Sequence, residues 1–179
     1  MFDLRQALDA HFTDDPDEAD ARRRFLDLLS TTPRCFHRDA FPAHFTASAW
    51  LISGDGERAL LMHHRKLDRW LQPGGHADGD ADLPRVALRE AAEETGLADL
   101  VVAGAPFDLD AHRIPARGPE PGHWHYDVRF LVRATGSERF QANHESRAMA
   151  WRDIAEVADD AGIDGSIRRM ARHWLDRRR

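Results

Sequence analysis

Gly74-Gly75-His76-Ala77-Asp78-Gly79-Asp80-Ala81-Asp82-Leu83-Pro84-Arg85-Val86-Ala87-Leu88-Arg89-Glu90-Ala91-Ala92-Glu93-Glu94-Thr95-Gly96-Leu97 joins a glycine loop to a helix start and a run of carboxylates. Asp82 suits a helix N-cap, Pro84 the first turn and Gly96 the residue that ends the helix, so the spacing predicts a helix from Leu83 to Thr95. At 3.6 residues per turn Leu88, Ala91, Ala92 and Thr95 share one face, while Glu90, Glu93 and Glu94 gather on roughly the opposite one. Like charges three or four residues apart repel by about 0.2–0.5 kcal/mol per pair on an exposed helix. Arg89 is placed to neutralise Glu93 one turn on, which leaves Glu90 and Glu94 side by side. Either the face is solvated, or a hard divalent cation resolves the repulsion.

With Trp70-Leu71-Gln72-Pro73 in front, this stretch resembles the Nudix box, Gly-x5-Glu-x7-Arg-Glu-U-x-Glu-Glu-x-Gly-U, with U a bulky aliphatic residue. Counting from Gly75, the positions Arg89, Glu90, Glu93, Glu94, Gly96 and Leu97 fall in register. Ala91 is smaller than the usual aliphatic, and Ala81 stands where the family has its first glutamate. Any role of that glutamate is therefore absent or supplied by Asp78, Asp80 or Asp82. The resemblance implies that Glu90 and Glu94 bind metal, that Glu93 binds a second ion or orients water, and that Arg89 holds a box carboxylate. It also implies a carbonyl ligand from Gly74 or Gly75, and a further glutamate before a late strand, for which Glu145 is the candidate.

The 179 residues fit one domain with an appendage, and 42% hydrophobic content supports a core. A net charge of −6 argues against nucleic acid or an anionic membrane as the main partner. No apolar run approaches the roughly 20 residues of a membrane span and no signal peptide is evident, so a cytoplasmic location is expected. Cys35 is alone and outside any activating motif, which fits a structural thiol.

Phe2 to Phe12, and the segment after Asp15-Pro16 through Leu29, carry apolar residues at helical intervals. This hairpin, residues 1–41, can cover a substrate site, mediate a homodimer or pack on the sheet, the last being the default; Arg22-Arg23-Arg24 is expected to be a solvated face. Residues 42–179 form the Nudix-like domain. Phe45–Ser53 and Arg58–His64 predict a hairpin turning at Asp55-Gly56. Val101–Ala103, Phe107–Ile114, His123–Ala134 and Arg147–Trp151 predict further strands, Arg152–Asp160 a helix, and Ile163, Ile167, Met170, Ala171 and Trp174 a final amphipathic helix. If the two central strands pair, Asp108, Asp110 and His112 face His123, His125, Asp127 and Arg129. That makes either the solvent side of a sheet or a substrate groove with a general base or second metal site; His125, Asp127 and Arg129 are the substrate-binding candidates.

The expectation is an α/β fold, a Nudix-like α/β/α sandwich with a mixed β-sheet behind an N-terminal helical hairpin. The expected activity is that of a Mg2+- or Mn2+-dependent pyrophosphohydrolase of a nucleoside diphosphate linked to another moiety, a small-molecule nucleotide. The competing reading, prompted by Ala81, is a catalytically weak nucleotide-binding or regulatory module. An isoprenoid diphosphate isomerase is disfavoured by the setting of Cys35, and hydrolysis at an RNA 5′ end is a further substrate option.

Overall fold

The computed structural model describes residues 2–65, 68–141 and 146–178. Two helices, α1 (Leu4–Ala10) and α2 (Pro16–Thr31), precede strands β1 (Ala43–Ile52), β2 (Arg58–His64), β3 (Arg69–Leu71) and β4 (Gly74–His76). Helix α3 (Leu83–Thr95) follows, then β5 (Leu100–Ile114), β6 (His123–Ala134), β7 (Ser146–Asp153), α4 (Ile154–Asp159) and α5 (Gly165–Arg177). The 7-stranded sheet runs β3-β2-β1-β6-β5, with β4 also paired to β1 and β7 to β2. It is mixed because β1 and β6 are parallel along their whole contact, Ala43 opposite Trp124 to Ile52 opposite Arg133. Helices lie on both faces, giving the expected sandwich.

Side-chain alternation along β1 and β6 decides what each face receives. Phe45 and Ala47 with Tyr126, Val128 and Phe130 meet Leu4, Leu8, Phe25 and Leu28 of the N-terminal hairpin and Val86 and Ala87 of α3. On the other face Trp50 and Ile52 meet Ile167, Met170, Ala171 and Trp174 of α5. The hairpin therefore packs on the sheet and shares its core. Asp15 caps α2 by accepting from the amides of Asp17 and Glu18, and buried Glu18 accepts from Leu109 N at 3.0 Å, tying α2 to β5.

The arginine run is engaged in structure rather than solvated throughout. Arg22 donates to the Leu8 and Asp9 carbonyls at the end of α1, Arg23 pairs with Asp20, and Arg24 lies 4.1 Å over the Trp124 ring. Helix α3 has the expected bounds, with Asp82 accepting from Arg85 N and Gly96 at φ 69°, the left-handed region glycine takes readily. Its buried face is centred on Leu83, Val86, Ala87, Ala91 and Thr95; Leu88 and Ala92, expected there, are only half-buried.

Some elements differ from the sequence expectation. Val101–Ala103 and Phe107–Ile114 are one strand, β5, broken only by register shifts on either side of Pro106. The last strand runs to Asp153, whose carboxylate caps α4, so that helix begins at Ile154 rather than Arg152. β3 and β4 were not expected at all: three residues give no alternation to read, and β4 is fixed by non-local pairing of His76, Gly75 and Gly74 with Thr46, Ala47 and Ser48. Cys35 is buried, and burial pushes its thiol up, the setting of a structural residue. Among the described residues no helix is long and apolar enough to cross a membrane.

Candidate active site

The short strand β4 is where the box loop and the box helix meet. Gly74 N donates to Glu94 Oε2 at 2.9 Å. A Cβ on Gly75 would stand 2.5 Å from Glu90 Oε2, and one on Gly74 would stand 2.3 Å from Ser48 Oγ. A side chain at Gly74 would collide with the β1 backbone, 2.8 Å from Ser48 Cα, whereas one at Gly75 would displace the Glu90 carboxylate. Arg89 differs from expectation: its guanidinium donates to its neighbour Glu90, 2.8 Å from Oε1, and to the His76 carbonyl at 3.2 Å. It holds a box carboxylate, but Glu90 rather than Glu93. Glu93 is exposed, while Glu90 and Glu94 are half-buried.

The three candidate replacements for the missing glutamate have other engagements. Asp80 pairs with Arg85 at 2.8 Å, Asp82 caps α3, and Asp78 is 3.9 Å from Arg38. Ala81 itself is exposed, bordering a cleft with Phe2, Leu4, Leu29 and Phe36 of the N-terminal segment. Glu145 lies outside the described residues.

β5 and β6 do pair, with Asp108 opposite Arg129, Asp110 opposite Asp127 and His112 opposite His125. The structure therefore assembles the polar sheet face, and β1 extends it. Thr46 and Ser48 donate to Asp127 at 3.0 and 2.8 Å, and Gln72 Nε2 donates to the same carboxylate at 3.4 Å. Arg129 is 4% exposed and gives its guanidinium to Asp127, Asp108 and Asp110 at 3.0, 3.0 and 3.2 Å. Arg169 of α5 adds a second cation, 2.7 Å from Asp108. Burial pulls the Asp110 carboxyl up, but Arg129, His112 and Arg169 outweigh it and hold it well below the usual carboxylate range. Asp108 is pushed up by its complete burial, against the pull of both arginines.

Next to this network the rings of His44, His76, His123 and His125 lie together, His125 4.9 Å from both His44 and His76. Burial lowers the His125 pKa to about 2 and the His76 pKa to about 4, with neighbouring imidazoles and, for His76, Arg38 adding to the effect. Both shifts favour the neutral rings of His125 and His76. His44, Thr46, Ser48 and Gln72 were missed from the sequence. The signal was present in β1, whose alternate residues His44, Thr46 and Ser48 are polar before Trp50 and Ile52 turn apolar. Among the described residues, buried His44 Nε2 and Gln72 Oε1 lack hydrogen-bond partners, the pattern of a surface shaped for a ligand.

A family model described as NUDIX domain matches residues 42–173. The chain is 32% identical over 114 residues to a Mycobacterium tuberculosis protein named "Putative 8-oxo-dGTP diphosphatase 3", covering 59% of this chain and 49% of that one; it spans about half the length of that relative. It is 28% identical over 136 residues to the RNA pyrophosphohydrolase of Sphingopyxis alaskensis, covering 66% of this chain and 83% of the relative. Among solved structures, an Ap4A hydrolase binary complex from C. elegans superposes with a TM-score of 0.59 at 18% identity, over 74% of this chain and 95% of that one; at that identity the likeness is one of fold. With the box loop closed on the box helix and the family match spanning sheet and flanking helices, the chain belongs to the NUDIX domain family.

Proposed function

We propose that the protein is a divalent-metal-dependent pyrophosphohydrolase acting on a nucleoside diphosphate linked to another moiety. The observation that carries this reading is the contact of Gly74 N with Glu94 and of Gly75 with Glu90, which sets an oxygen-rich corner beside the polar sheet face. Glu90, Glu93, Glu94 and the Gly74 carbonyl offer oxygen donors only, the set a hard cation prefers, with Mg2+ first and Mn2+ second. A bound ion of that kind neutralises diphosphate charge and lowers the pKa of a water. The names of the relatives, a diphosphatase and a pyrophosphohydrolase, support cleavage at a phosphoanhydride.

The chain's own residues divide the work. Arg89 fixes the Glu90 carboxylate, and Gly74 N–H fixes Glu94. Glu93 faces solvent and orients the attacking water or takes its proton, a role Glu145 shares in the family pattern. Water adds its oxygen to one phosphorus, the bridging oxygen leaves with the other phosphate, and the proton goes to a carboxylate. His125 and Asp127 line the face on which the nucleotide lies, and Arg129 serves it by holding Asp127 in place. The net charge of −6 favours a small nucleotide over an RNA end.

Ala81 favours the second reading, a catalytically weak nucleotide-binding or regulatory module, because Asp78, Asp80 and Asp82 each have partners elsewhere. Product formation across a panel of nucleoside-diphosphate compounds with Mg2+ or Mn2+ separates the two. Glu94→Gln and Glu90→Gln are expected to lower turnover by about 100-fold or more, the equivalent of about 2.7 kcal/mol or more of lost charge stabilisation. Tight nucleotide binding without product would establish the module instead.

A further inference from the structure

We propose that His44, His123 and His125 form a binding site for a zinc-class transition-metal ion, separate from the glutamates of the box helix. One ring nitrogen from each lies within 4.8 Å of those of the other two, with His123 Nε2 and His125 Nε2 3.3 Å apart. An ion held at about 2.0–2.1 Å by tetrahedrally arranged imidazoles keeps their nitrogens roughly 3.4 Å apart. The His123–His125 contact already has that spacing, and the His44 nitrogen lies within 4.8 Å of both.

The far ends of two rings are fixed from behind. His44 Nδ1 donates to the Ala40 carbonyl at 3.1 Å, and His123 Nδ1 to the Pro121 carbonyl at 2.9 Å. A carbonyl oxygen carries no hydrogen, so each Nδ1 holds a proton, and the tautomer this selects presents its lone pair at Nε2. Carbonyl-backed imidazoles of this kind are the usual outer support of a metal-bound histidine. His44 supplies the independent sign of a ligand: it is 0% exposed, and its Nε2 has no hydrogen-bond partner. Its ring centre is 4.9 Å from those of both His123 and His125. A metal-free arrangement, with His125 Nε2–H donating to His123, leaves that nitrogen bare.

Donor chemistry separates this site from the box. Carboxylate and carbonyl oxygens select Mg2+ or Mn2+, whereas imidazoles select Zn2+ and its neighbours. Three protein ligands leave a coordination position for water or for a ligand oxygen.

The test uses the full chain without a polyhistidine tag, stripped with EDTA and titrated with Zn2+ by calorimetry and with Co2+ by visible absorption. One equivalent of Zn2+ is expected, with the intense Co2+ bands of a four-coordinate site. His123→Ala and His125→Asn are expected to weaken Zn2+ binding by about 100-fold or more, while His76→Gln and the Glu90→Gln/Glu94→Gln double variant leave it in place. Circular dichroism checks that each variant is folded; His44→Gln substitutes for any that is not. Absence of Zn2+ uptake by the wild type, uptake that survives the histidine changes, or uptake lost only with the glutamates would each overturn the proposal.

Discussion

Arg129→Met is the sharpest test of how the polar sheet face is held. The change keeps an unbranched apolar stem and removes a guanidinium that touches Asp127, Asp108 and Asp110 at 3.0–3.2 Å. Asp108 and Asp127 are 0% and 3% exposed at the side chain, so water cannot replace the lost partner. Arg169 still reaches Asp108 and Asp110, but among the described residues Asp127 keeps only the hydroxyls of Thr46 and Ser48 and the Gln72 amide. Breaking one side of a buried ion pair costs about 3–5 kcal/mol; with a urea slope of about 2 kcal/mol/M the unfolding midpoint falls by about 1.5–2.5 M.

The pH dependence adds a sign. In the wild type the Asp110 carboxyl lies below its ordinary range, so its stabilisation is present above the unfolded carboxyl pKa and is lost as pH falls through the folded value. In the variant, burial acts on Asp108 with less opposition, and its folded pKa rises further. What protonation saves there is present below the unfolded value of about 3.9 and is lost as pH rises through the folded one. The gap between the two proteins is therefore widest near pH 7.5 and narrows toward about pH 4.5. Urea titrations followed by tryptophan fluorescence at both pH values measure it. A midpoint shift under about 0.5 M, or an equal gap at both pH values, would refute the reasoning.

Gly75→Ala places a Cβ 2.5 Å from Glu90 Oε2; the glutamate tip can swing away at about 0.5–1.5 kcal/mol, so stability holds while metal-dependent turnover falls at least about tenfold. Unchanged turnover in a panel assay counts against Glu90 as a ligand. Phe25→Ala empties a site packed 4.8 Å from the Tyr126 ring and 5.4 Å from Phe45, and is expected to cost about 3–5 kcal/mol by chemical denaturation. A loss under about 1 kcal/mol would mean that the N-terminal hairpin is an appendage and not part of the core.

What was legible in the sequence was local. Asp82, Pro84 and Gly96 bracket α3 because capping, a first-turn proline and a left-handed terminator act within a few residues. The alternation of His123–Ala134 marked β6 with its bounds intact. What escaped depends on partners distant in sequence: β4 exists because it pairs with β1, and Arg89 turns to Glu90 because the His76 carbonyl of that strand is within its reach. Arg129 reads in the sequence as a substrate-binding candidate facing Asp108 and Asp110 if their strands pair; what pattern alone does not show is that its buried guanidinium is taken up by these aspartates and Asp127.

The same non-local pairing explains why one sheet face can be both core and site. Along β1 that face runs His44, Thr46, Ser48, Trp50, Ile52, and along β6 His123, His125, Asp127, Arg129, Leu131. Parallel, in-register pairing sets polar beside polar and apolar beside apolar, so α5 covers only the apolar end and the polar end stays available to a ligand. Arg129, Asp108 and Arg169 sit at the seam, where α5 meets the groove, and their mutual pairing lets charge be buried there without loss of the helix packing. A register slip by one residue would send His44 and Asp127 to opposite faces of the sheet from their present neighbours and dissolve the groove. The groove is thus a consequence of register, with Arg129 tying β6 to β5 and Arg169 tying β5 to α5.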